Sequence, residues 1–134
     1  MNKDEIEYYS LTRRVFRILA PVYNLLVIPL TGLRKNVAGT VTKTQANILD
    51  VATDTGKQAT AYAERGHNVI GVDISSDMLA VAMKKKRLPN LNFEHGDATQ
   101  LRFENDTFDV TSISFALHEM PLSIRERVLK EMVR

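Results

Sequence analysis

The sequence predicts an α/β domain built on a parallel sheet, and three observations predict it. Short apolar runs alternate with helical patterns from residue 47 onward. A lone glycine, Gly56, closes the turn after the first run, and polar or acidic residues stand where each run ends. Strands that alternate with helices need crossover connections, and crossovers place neighbouring strands parallel.

The elements follow in order. Residues 3–38 read as helices, with breaks expected at Pro21 and Pro29 and a stop at Gly32. The polar stretch Thr40 to Gln45 separates this helical lid, residues 1–45, from a second unit, residues 46–134. Asn47 to Ala52 is a strand buried on both faces. Lys57 to Arg65 suits a helix, with Gly66 positioned for the positive φ of a helix end. Val69 to Asp73 (VIGVD) is a second buried strand. Ser75 can cap the next helix, whose apolar stripe is Met78, Leu79, Ala82 and Met83. The run Lys84 to Arg87 ends that helix, where cations complement its C-terminus. LNFEH (91–95) is a third strand and Asp106 to Ser114 a fourth. After Pro121, Ser123 and Glu126 have capping-box spacing, with Ile124, Val128, Leu129, Met132 and Val133 on one face.

Composition narrows the function classes. The chain has 134 residues, enough for one core, with 44% hydrophobic and 25% charged residues. A net charge of +2 is too weak to argue for nucleic acid. With no cysteine, disulfides, thiolate metal sites and cysteine nucleophiles are excluded, in keeping with a cytoplasmic setting; no metal site is expected. The apolar run Val15 to Leu33 is flanked by arginines but interrupted by Arg17, Pro21 and Pro29. It reads as helices over a core, able to touch a membrane surface, rather than as a span.

In an open parallel sheet, ligands bind beyond the carboxyl ends of the strands. The groups there are Asp50 through Gly56, Asp73, Asp97, and Ser114 through His118. Asp73 lies about twenty residues past the first loop, where a carboxylate can accept the ribose hydroxyls of an adenosine cofactor; the alternative is that it merely caps the next helix. The loop ATDTGKQA lacks the early glycine and the Ser or Thr of a phosphate-binding Walker loop. Only Gly56 remains of a dinucleotide fingerprint. The frame D-x-G-x-G-x-G, suited to a cofactor with a zwitterionic amino-acid end, fits Asp50 to Gly56 with Ala52 and Asp54 in glycine positions.

Taken together, ILDVATDTGKQA, VIGVDISSDMLAVA, NFEHGDATQL and NDTFDVTSISFALHEM resemble class I S-adenosylmethionine-dependent methyltransferases, nearest the methyltransferase type 11 group. RRVFRILAPVYNLL resembles the opening of ubiquinone/menaquinone biosynthesis C-methyltransferases. The resemblance implies a Rossmann-like sheet in strand order 3-2-1-4, without the family's last three strands. It also implies S-adenosylmethionine as cofactor and a small-molecule methyl acceptor, with quinone- and lipid-like compounds as the candidates. By position, Asp50, Ala52, Asp54 and Gly56 would hold the methionine end. Asp73 would take the ribose, with Ile74 beside the adenine and Asp97 and Ala98 at its edge and ring. Ser114 and Phe115 would close the pocket, and Tyr23 would cover the sulfonium. His118 could serve as a base or as a packing residue; His67 and His95 read as bystanders.

Two departures from that pattern matter. Asp54 puts a carboxylate where the backbone should approach the ligand, able either to repel the cofactor carboxylate or to pair with its ammonium. The pattern also stops after the fourth strand, leaving that strand as an edge that invites self-association, as in a homodimer. A non-catalytic cofactor-binding or self-associating module is the alternative function.

Overall fold

The structure, a computed structural model, describes residues 1–26 and 28–134; of Asn24, Leu26 and Pro29 it describes the backbone alone. The lid expectation at Val27 lies outside the described residues. The helices are α1 (Lys3–Leu26), α2 (Thr31–Gly39), α3 (Lys57–Glu64), α4 (Ser76–Lys85) and α5 (Leu122–Met132), with short 3-10 turns at Ile28–Leu30 and Leu117–Glu119. The strands are β1 (Asn47–Val51), β2 (Asn68–Asp73), β3 (Leu91–His95) and β4 (Val110–Ile113), all parallel, in the order β3-β2-β1-β4. This is the expected Rossmann-like sheet, with β4 half-exposed at its edge.

Alternation along β1 divides the core. Ile48 packs with Val69, Leu91 and Tyr62 of α3 on one face. Leu49 and Val51 pack with Val72 and with Ile124 and Val128 of α5 on the other. Each of these fully buried aliphatic side chains contributes about 1.5–3 kcal/mol. The register Leu49↔Ile70, Asp50↔Gly71 and Asp50↔Ser112 brings the carboxyl ends of β1, β2 and β4 to one rim.

The lid is built differently from the expectation. Pro21 does not break it: α1 continues through Pro21 for 24 residues. Proline removes one backbone hydrogen bond, but tertiary packing holds the helix: Phe16 and Leu19 before it and Tyr23 after it line the cavity described below. Gly32 is no stop either; it sits in the first turn of α2, which ends at Gly39. Buried Glu5 anchors the start of α1 by accepting from Ser123 Oγ (2.7 Å) and Arg127 Nη2 (3.1 Å). Ser123 is therefore a tie between α1 and α5 and not a cap; Pro121 holds the N-cap position. Outward-facing Met83, Leu129 and Val133 do not join the core faces assigned to them.

Strand boundaries contract at both functional ends. Ala52 leaves β1 at φ +52°, and β4 spans only Val110–Ile113 because Asp106 (φ +59°) and Phe115 (φ +62°) turn the chain on either side of it. Ser75 caps α4 as expected, its Oγ accepting from Met78 N at 3.2 Å, and Gly66 has φ +89°. Among the described residues, no helix is long and apolar enough to cross a membrane.

Candidate functional site

The loop after β1 is shaped by hydrogen bonds to its neighbours. Thr53 N donates to Val72 O (3.0 Å), Asp54 N donates to Asp73 Oδ2 (2.8 Å), and Gly56 N donates to Thr53 O (2.8 Å). Gly71 in β2 lets Thr53 come this close, since a Cβ there would lie 2.7 Å from Thr53 Oγ1. Below the loop, Asp50 accepts from Thr53 Oγ1 and Ser112 Oγ, both at 2.7 Å. Burial pushes its carboxyl up to about 6, against the pull of those two hydroxyls.

Ala52 and Asp54, the residues in glycine positions, both have left-handed backbones, with φ of +52° and +55°. This conformation explains why a glycine suits those places. Five non-glycine residues have positive φ among the described residues, and Ala52, Asp54 and Phe115 of them line one cavity. Backbone strain of this kind clusters at functional sites.

That cavity, about 390 Å³, lies between α1 and the strand ends, within the size range of small-molecule sites. Asp54, Asp73, Ile74, Asp97, Ala98 and Phe115 reach its wall, as does Tyr23 from the lid. Asp50, Gly56 and Ser114 do not. Asp50 braces the loop from beneath, and Gly56 starts α3 at φ +78° against the Phe93 ring. His118 lines the rim, its side chain 71% exposed, with Glu119 Oε1 3.7 Å from Nε2. His67 is buried and accepts from Ala46 N (3.1 Å), and His95 Nε2 lies 2.9 Å from Ile74 O.

The acids of the wall are partly engaged. Asp73 accepts from Ser75 N (2.8 Å) as well as from Asp54 N, so it does cap the following turn. A carboxylate has about four acceptor sites, which leaves room for hydroxyl donors. Asp97 Oδ1 accepts from Thr99 N and Oγ1, both at 2.8 Å. Burial first, then the neighbouring Asp73, pushes Asp54 up to about 8; burial raises Asp73 also.

Two lid tyrosines clasp these acids. Tyr9 OH donates to Asp97 Oδ2 (3.3 Å) and Tyr23 OH to Asp54 Oδ2 (2.9 Å). At 1.5 Å per residue, the helix between them spans roughly 21 Å across the cleft. Burial raises both phenols, and Asp54 adds to the rise at Tyr23. Sequence reasoning found Tyr23 but missed Tyr9, Tyr8 and Phe16, whose spacing on α1 (8, 9, 12, 16, 19, 23) traces one face toward the cavity.

Residues 48–134 match the methyltransferase domain family. The chain belongs to that family. The methyltransferase domain is 40% identical over 87 residues to a demethylmenaquinone methyltransferase of Renibacterium salmoninarum, covering 65% of this chain and 35% of that protein. The chain is 35% identical over 122 residues to the enzyme of the same name from Chlorobaculum parvum, covering 81% of this chain and 48% of that one. A solved structure of a Pyrococcus horikoshii protein superposes with a TM-score of 0.66 at 32% identity, covering 81% of this chain and 50% of that one. The chain thus spans about a third to a half of the length of these curated relatives. The cofactor of the family is S-adenosylmethionine.

Proposed function

We propose that this domain holds S-adenosylmethionine beneath α1 and transfers its methyl group to an apolar, quinone-like acceptor. The observation that carries this reading is the convergence of Asp73 and Asp97, from different strand ends, on one cavity. The donor chemistry fits the cofactor. Asp73 has lone pairs for ribose hydroxyls and Asp97 for an adenine amino group, while Ile74 and Ala98 offer apolar contact to the base. When bound, the cofactor supplies a methyl already activated on a sulfonium. The chain's own contribution is then positioning. Asp50 and Asp73 fix the left-handed loop, and α1 keeps water from the cavity. His118, at the rim, is available to take a proton from the acceptor.

Val15, Phe16 and Leu19 give the lid side of the cavity an apolar wall, which suits an aromatic or lipid-like acceptor. The names of the demethylmenaquinone methyltransferases among its relatives support a quinone class. On the opposite face of α1, Leu11, Ile18, Val22 and Leu25 form an exposed stripe at helical spacing, bordered by exposed Arg14 and Arg17. This pattern suits an anionic bilayer in which such an acceptor resides. Incubation with S-adenosylmethionine and a demethylated quinol in vesicles should give methylated product by mass spectrometry, faster in phosphatidylglycerol than in phosphatidylcholine. Cofactor binding without product from any quinol would remove the acceptor assignment.

Asp54 opposes cofactor entry in two ways: it clasps Tyr23, and it puts a side chain on a left-handed loop position where a glycine would leave the backbone bare. Asp54→Gly frees the loop and suits its φ of +55°. It is expected to tighten S-adenosylmethionine binding about tenfold by calorimetry, the size of the Tyr23–Asp54 hydrogen bond that cofactor entry otherwise has to break. Equal or weaker affinity would contradict this role.

A further inference from the structure

Arg34 of α2 is 7% exposed, and its Nε has no hydrogen-bond partner among the described residues. A buried guanidinium with an orphan donor is costly and calls for an explanation. Its Cζ lies 5.5 Å from the ring centroid of Phe115, which lines the cofactor cavity. Its positive charge also acts on Asp50, Asp54 and Tyr23, opposing the rise that burial gives the two carboxyls. Neither carboxyl is hydrogen-bonded to it among the described residues; Asp50 accepts from Thr53 and Ser112, and Asp54 from Tyr23. The fold has therefore placed a cation beside the β1 loop and left a donor unused.

We propose that Arg34 is the docking group for the α-carboxylate of the cofactor's amino-acid end. A guanidinium presents parallel N–H donors that match a carboxylate, and the loop beside it is the one that receives the methionine end under the proposed function, on which this inference rests. Phe115, half-exposed with a left-handed backbone at φ +62°, is the cavity-lining residue next to the Arg34 guanidinium. Arg34 is not itself among the residues that line the cavity, so docking requires the Phe115 ring to turn aside. Docking the carboxylate satisfies the orphan donor.

The test compares S-adenosylmethionine with decarboxylated S-adenosylmethionine, which lacks only the carboxylate. The wild-type chain should prefer the intact cofactor by about tenfold to a hundredfold, the range of a charge-assisted hydrogen bond. Arg34→Met should erase that preference while leaving the affinity for the decarboxylated compound unchanged, and Arg34→Lys should retain part of it. A purely structural role would weaken both ligands alike, which overturns the inference. So does a wild-type chain that binds both equally, an outcome readable even if Arg34→Met fails to fold. If the wild type binds neither, the proposed function falls and this inference falls with it.

Discussion

Replacing Gly56 with alanine is expected to destabilise the domain by about 3 kcal/mol, read from urea unfolding midpoints. Two costs combine there. The backbone sits at φ +78°, where a Cβ is strained, and that Cβ would lie 2.3 Å from Phe93 Cζ and 2.7 Å from Cε1. Phe93 packs against the core that Ile48, Tyr62 and Leu91 form, so its ring cannot retreat freely. Gly66→Ala separates the two costs. Its φ is +89°, but a Cβ would meet nothing within 4 Å among the described residues, so only the left-handed penalty of about 1 kcal/mol applies. Equal losses at the two positions would show that the contact with Phe93 carries no weight. The result matters for function because Gly56 sets where α3 begins and so fixes the loop that Asp54 and Asp73 share.

The second large effect is pH-dependent. The carboxyl of Asp54 is raised from 3.8 to about 8 by burial and by Asp73, and that of Asp50 to about 6 by burial. Each holds its proton in the folded chain at pH values where the unfolded chain has released it. Folding therefore takes up protons across this window, and stability falls as pH rises from about 4 to about 8. Glu5, Asp109 and Glu131 act the other way. Hydrogen bonds from Ser123, Lys43 and Arg134 lower them, so their contribution is lost only as pH drops through the acid range. Unfolding free energy should thus be lower at pH 8.5 than at pH 5.5, by on the order of 3 kcal/mol. Asp54→Asn, which keeps the shape and tolerates positive φ, should flatten much of that fall. A wild-type stability that increases between these pH values would contradict the buried pairing of Asp54 with Asp73.

Much of this was legible in the sequence, for reasons that are local. VIGVD announces a buried strand that ends on an acid, and ATDTG announces a turn whose first and third residues need glycine-like backbones. The structure gives those residues, Ala52 and Asp54, positive φ. Strand order followed from the resemblance and from crossover geometry. What escaped the sequence depends on contacts between distant residues. Tyr9 meets Asp97 across 88 positions and Ser123 meets Glu5 across 118. Neither partner carries a local sign of the other, so Ser123 looked like a cap. Pro21 looked like a helix break because the cavity-facing residues on either side of it were not visible as one packed face. Arg34 had no signal at all: an arginine two residues after Gly32 reads as solvent-exposed until the fold buries it beside Phe115.

The most direct test is a calorimetric titration of S-adenosylhomocysteine into the wild-type chain and into Asp73→Asn and Asp97→Asn. If both carboxylates grip one adenosine, a single molecule binds per chain, free adenosine competes with it, and each substitution weakens binding by about tenfold or more. No heat of binding, or an affinity indifferent to both substitutions, would contradict the shared cleft.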